Sequence, residues 1–117
     1  MTFTSNCRLI FSIGVSVKIV EPGFVKTDFA GRSFDFTNDE HLTEYQAFVG
    51  KFMSAMAAMG EGGSAPAVVA EVIYQAATDG TGQLRYTAGS DAAEIVKNRK
   101  VLDDATFIGG VTKQLGL

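Results

Sequence analysis

The apolar positions of this chain change period several times, and each change marks an element. Val15, Val17 and Ile19 alternate with Ser16 and Lys18, and Val20 is next in line. β-branched residues at period two predict a strand over Val15–Val20. Pro22 has no N–H and a fixed φ, so the spacing predicts that the ladder stops before it. Gly23 permits a sharp turn. Ala30 to Asn38 holds Phe34 and Phe36 among polar residues and reads as irregular. Thr37 with Glu40 three places on has the form of a capping box. Leu42, Tyr45, Val49, Phe52, Met53, Met56 and Met59 then keep helical spacing, with Phe48 beside them. Gly60-Glu61-Gly62-Gly63-Ser64 breaks that helix, and Ser64 with Ala65-Pro66 after it suits the start of another. Ala67–Thr78 is the clearest helix, striped by Val69, Val72, Ile73 and Ala76 and stopped by Asp79-Gly80. Gln83–Ala88 alternates as a short strand ending at Gly89. Ser90 can cap a helix running from Asp91 to about Leu102. Phe107, Ile108, Val111 and Leu115 mark a weaker terminal helix, which Gly109-Gly110 disfavours by about 2 kcal/mol. Met1–Ile13 is less legible: Thr2, Thr4, Ser5 and Asn6 are poor helix formers, and Leu9–Ile13 fits strand or buried helix.

The bulk numbers narrow the class. A chain of 117 residues suits one small domain. Hydrophobic content of 46% and charged content of 20% exclude a disordered composition. A net charge of −3 gives no footprint for a nucleic acid partner. Leu9-Ile10-Phe11 is too short to span a bilayer, and Lys18 interrupts the apolar residues beyond it. Arg8 is the single early cation, and no small-residue cleavage site comes after an apolar core, so the start does not read as a signal peptide. A lone Cys7 makes no internal disulfide and fits a reducing, cytoplasmic setting.

Few residues carry chemistry on their own account. His41 is the only histidine and sits beside Glu40, which reads as a solvated residue rather than a triad base. One Cys and one His do not build a standard zinc site. Asp103-Asp104 reads as a surface pair without calcium-loop spacing. The glycine-rich stretch at 60–63 comes after a helix and precedes no Lys, so a hinge or linker fits it better than a phosphate loop. Thr27 taken alone is an ordinary helix N-cap candidate.

The segment Glu21-Pro22-Gly23-Phe24-Val25-Lys26-Thr27-Asp28-Phe29 resembles the Pro-Gly motif of the short-chain dehydrogenase/reductase family. The downstream order extends the likeness: a lid at about 30–63, an Ala-Pro-x-x-Val-Ala helix from Ala65, a Gln-Leu-Arg-Tyr-x-x-Gly strand from Gln83, and a final helix. Together these cover about Gly14 to Asp104; residues 1–13 match poorly. The resemblance implies an α/β fold: the C-terminal part of a Rossmann-like parallel sheet with flanking helices, spanning 14–117. It implies alcohol/carbonyl interconversion with NAD or NADP. Pro22, Gly23, Val25 and Thr27 would face the nicotinamide end of that cofactor. Phe29, Phe34 and the lid helix would border a small-molecule substrate.

Much of the family's machinery has no counterpart in this sequence. The catalytic pattern Tyr-x-x-x-Lys is not formed: Val49, Thr78 and Ser90 stand four places after Tyr45, Tyr74 and Tyr86. No glycine-rich pyrophosphate turn precedes the Val15–Val20 strand. The expectation is therefore of an incomplete domain, inactive alone, whose sheet edge invites self-association. The rival expectation is a non-catalytic dimerisation or regulatory module derived from the same fold.

Overall fold

The computed structural model describes residues 12–117, so the expectations for Cys7, Arg8 and the apolar run Leu9–Phe11 lie outside it. Seven elements occur in chain order: β1 (Ile19–Pro22), α1 (Phe29–Arg32), α2 (Thr43–Glu61), α3 (Pro66–Thr78), β2 (Arg85–Ala88), α4 (Ser90–Val101) and α5 (Asp104–Gln114). The strands form a two-stranded parallel sheet with Ile19 opposite Arg85 and Pro22 opposite Ala88. A parallel pair requires a long crossover. Here the crossover contains the lid and α3.

The first strand corrects the sequence expectation at both ends. It begins four residues later than Val15, because residues 15–18 have no neighbouring strand among the described residues. It also includes Pro22, where the sequence predicts the ladder to have stopped. Ile19 and Gly23 donate their amides to the carbonyls of Leu84 and Ala88, at 2.7 and 3.0 Å. At period two the nitrogen of Pro22 therefore lies on the opposite edge, where β2 demands no donor. The second strand starts at Arg85 rather than Gln83, because Gln83 turns its side-chain amide onto the Arg85 carbonyl.

The helix starts agree with expectation in part. Thr37 and Glu40 form no capping box; α2 begins at Thr43, and Gln46 reaches back to the carbonyls of Asp39 and Leu42. Ser90 lies inside α4, with Gly89 at its N-cap at φ 104°. Pro66 opens α3, a position where its missing N–H costs nothing. Asp103, expected as a plain surface residue, caps α5 by accepting from the Thr106 amide at 2.9 Å. The short α1 stands in the stretch expected to be irregular.

The core is small. Ala76, Tyr86, Ala88 and Ala92 are the buried apolar residues of the described chain. α3 packs on both strands, α4 on β2, and α5 on α4. The lid helix α2 has no buried residue. A radius of gyration of 17.9 Å exceeds the roughly 13 Å expected of a compact domain of this length. Among the described residues no helix is long and apolar enough to cross a membrane.

A polar clamp ties the sheet to the end of α3. The Tyr86 hydroxyl donates to Asp79, and the Lys18 ammonium reaches the Tyr86 hydroxyl at 3.1 Å and Asp79 at 3.4 Å. The Thr81 amide donates to the same carboxylate at 2.9 Å. The Tyr86 hydrogen bond, then that of Thr81, lowers the Asp79 pKa from 3.8 to about 2. The Tyr86 contact likewise raises that of Lys18.

Candidate functional site

The carboxyl end of β1 carries the site, and its geometry is set by backbone and small residues. Gly23, expected to make a sharp turn, is neither turn nor bend: after Pro22 the chain runs on to Val25, which forms an isolated parallel bridge with Ser64, and first bends at Thr27. Ser64 donates its amide to the Phe24 carbonyl at 2.8 Å, and Lys26 donates to the Ser64 carbonyl at 2.9 Å. The two ends of the lid are thus stitched together at its base. Gly63 makes that stitch possible: a Cβ there would lie 2.8 Å from the Phe24 oxygen and 2.9 Å from its carbonyl carbon.

Asp91 braces the loop from the other side. It sits in the first turn of α4, where a carboxylate suits the helix N-terminus. Its Oδ2 accepts the Phe24 amide at 2.7 Å. A Cβ on Gly23 would stand 2.1 Å from that carboxylate, and one on Gly89 would meet it at 2.7 Å. Gly23 is therefore needed for the close approach of Asp91, and its φ, which is not positive, makes no separate demand for glycine. From sequence, Asp91 reads only as the first residue of a helix, and its contact with the loop is missed. Its signal is only its place after Gly89-Ser90, and nothing local says what it touches 67 residues away.

Of the four sequence candidates Val25 and Thr27 line one cavity, while Pro22 and Gly23 lie outside its lining. Pro22 is exposed at the end of β1, whereas Gly23 and Val25 are half-buried. Because Phe24 and Lys26 supply the groups that bond Ser64, the N–H and C=O of Val25 point the other way. Neither has a partner among the described residues. Thr27 is exposed; its Oγ1 accepts from the Phe29 amide at 3.4 Å, and Asp28 rather than Thr27 holds the N-cap position of α1. Val25 and Thr27 line the same cavity, of about 790 Å³, between the Pro-Gly loop and α2. Phe29 and Phe34 meet edge to face at 6.0 Å across its outer part, and Phe52, Met53 and Met56 supply the helix wall.

The remaining candidates stay outside the site. His41 is exposed and lies 3.7 Å from Asp39. Among the described residues no group of His, Cys, Asp or Glu could hold a metal ion. A second cavity, of about 620 Å³, opens on the other face of the sheet between Glu21, Arg85 and α4. Glu21 and Arg85 are paired there.

Comparison with known proteins gives relatives of one kind. The chain is 40% identical over 106 residues to two uncharacterized oxidoreductases of Schizosaccharomyces pombe, covering 91% of this chain and 44% of each relative. It is 30% identical over 86 residues to an oxidoreductase of Botryotinia fuckeliana, covering 73% of this chain and 31% of that protein. The chain therefore spans less than half the length of the curated relatives it matches. No family profile matches the chain, and no solved structure does.

Proposed function

We propose that this chain forms the nicotinamide-side wall of an NAD(P)-dependent oxidoreductase of the short-chain dehydrogenase/reductase type. Its reaction is the interconversion of an alcohol and a carbonyl compound. The observation that carries the reading is that the N–H and C=O of Val25, beside the cavity at the carboxyl end of a parallel strand, have no partner among the described residues. A donor and an acceptor on a single residue complement a primary carboxamide, which has both. Thr27 adds a hydroxyl two residues on. Ligands of open α/β sheets sit outside the carboxyl ends of the strands, where this loop lies. The named relatives are oxidoreductases, which supports the same class.

The nicotinamide, when bound, supplies the hydride chemistry. The residues of this chain would orient it: Val25 through its backbone, Thr27 through its hydroxyl, and Pro22-Gly23 by tying the loop to the end of β2 through the Gly23 amide and the Ala88 carbonyl. Asp91 would hold the loop in place through the Phe24 amide. The proton-transfer pair Tyr-x-x-x-Lys is not formed in this sequence, so the role proposed for this chain is cofactor positioning and not proton transfer. A reducing, cytoplasmic setting belongs to the same reading.

Saturation-transfer NMR with NADH on the 117-residue chain tests this. The nicotinamide ring protons are expected to receive saturation more strongly than the adenine protons, and Thr27→Val to weaken the effect. Transfer to adenine alone, or none to either ring, would overturn the proposal. A second reading, a dimerisation module, draws on Ile95, Val101 and Ile108, which stand 45%, 70% and 61% exposed on α4 and α5. A defined dimer that gives no NADH signal would favour it.

A further inference from the structure

The lining of the lid cavity says more about the substrate than the cofactor reading does. Its wall on α2 is Phe52, Met53 and Met56, with Ala57 and Gly60 leaving room beside them. Its outer wall is Phe29 and Phe34, and Phe34 stacks in turn on Phe36 at 6.0 Å. Met and Phe side chains adapt to varied apolar shapes. The charged lining residues are Lys26 against Asp28 and Glu61, one cation to two anions, a local charge of −1. Asp28 is already engaged by Arg32 at 3.5 Å. With Arg32 counted the local charge is zero, so an anionic ligand would meet no net attraction here and no bidentate cation. The volume of about 790 Å³ lies within the range of roughly 300–1,000 Å³ typical of small-molecule sites.

We infer that this cavity takes an uncharged, largely apolar carbonyl or alcohol ligand and discriminates against a carboxylate of the same length. The reacting group rests on the oxidoreductase reading above; the apolar, neutral character rests on the lining alone. The ligand's chain lies against Met53, Met56 and Phe52, and its polar end faces the Pro-Gly loop side of the cavity.

Titration of the 117-residue chain with 6-propionyl-2-dimethylaminonaphthalene, a neutral fluorescent aryl ketone, tests the inference. A saturable blue shift is expected. 2-Decanone should compete, and decanoate should compete at least about tenfold more weakly, since its carboxylate would lose water without gaining a bidentate partner or a net positive charge. Met56→Glu should weaken probe binding about tenfold. Tyr74→Ser, exposed on α3 and outside the cavity lining, should leave it unchanged. Phe34→Ser on the outer wall gives a second variant should Met56→Glu unfold α2 by circular dichroism. Equal competition by decanoate, or indifference to both cavity variants, would overturn the inference. So would sedimentation showing that a second copy of the chain displaces the probe. The NADH experiment separates the two claims. NADH transfer without ketone binding sinks the inference and leaves the cofactor reading standing; ketone binding without NADH transfer does the reverse.

Discussion

The Pro-Gly loop and the lid beyond it are joined at Val25 and Ser64, yet they are built in opposite ways. The loop is held by backbone amides, a carboxylate and three glycines, with separations that leave no space for a methyl group. The lid helix buries nothing and presents Tyr45, Phe48 and Leu42 about half-exposed. Close packing transmits any added atom as strain, whereas a half-exposed face absorbs substitution. The difference suits the proposed roles: a cofactor of constant shape needs a fixed wall, and a variable apolar ligand needs an adaptable one.

Breaking the fixed region should have the largest effects. Gly63→Ala puts a Cβ against the Phe24 backbone, which has no rotamer to yield, and is expected to cost about 3 kcal/mol. The drop in urea midpoint would measure it, and a shift as small as that of a surface mutation would show the stitch to be loose. Asp91→Ala comes next. It strips the Phe24 amide of a charged acceptor and should cost about 2 kcal/mol, with Asp91→Asn recovering part of the loss. The exchange rate of the Phe24 amide should rise in the Ala variant; no change would mean that the brace is not made in solution.

The clamp at the end of α3 gives a pH signature of its own. The Asp79 pKa is depressed when folded, so the unfolded chain binds more protons between 3.8 and about 2. The stabilisation is complete above 3.8 and is lost as pH falls toward about 2. Asp79→Asn should flatten this acid limb of the unfolding midpoint, and an unaltered limb would assign it to other carboxylates. The smallest effect belongs to the lid. Phe48 is 47% exposed and stacks on Phe52 at 6.1 Å, so Phe48→Ala should cost at most about 1 kcal/mol by the same urea measurement. A loss comparable to that of Gly63→Ala would erase the contrast between the regions.

Legibility tracks the range of the forces involved. The helix stripe Val69, Val72, Ile73 and Ala76 and the stop at Asp79-Gly80 are readable because side-chain period and turn chemistry are local. The parallel β1–β2 pairing comes from the family resemblance, since alternation names a strand and not its neighbour. Pro22 reads wrongly as a ladder stop because a proline's fit depends on which edge its nitrogen faces, and only the partner strand decides that.

By itself the sequence determined the two strands and the four longer helices to within a few residues, and a cluster of Phe and Met residues in the lid. Each of these rests on residues within a few places of one another. The tertiary structure alone decided that Asp91 stands under Phe24, that Gly63 is pressed against the same backbone, and that Lys18, Asp79 and Tyr86 meet. It also decided that Val25, beside an apolar cavity, has a donor and an acceptor with no partner among the described residues. Those facts join residues about 40 to 70 places apart through hydrogen bonds and steric exclusion, which no local periodicity encodes.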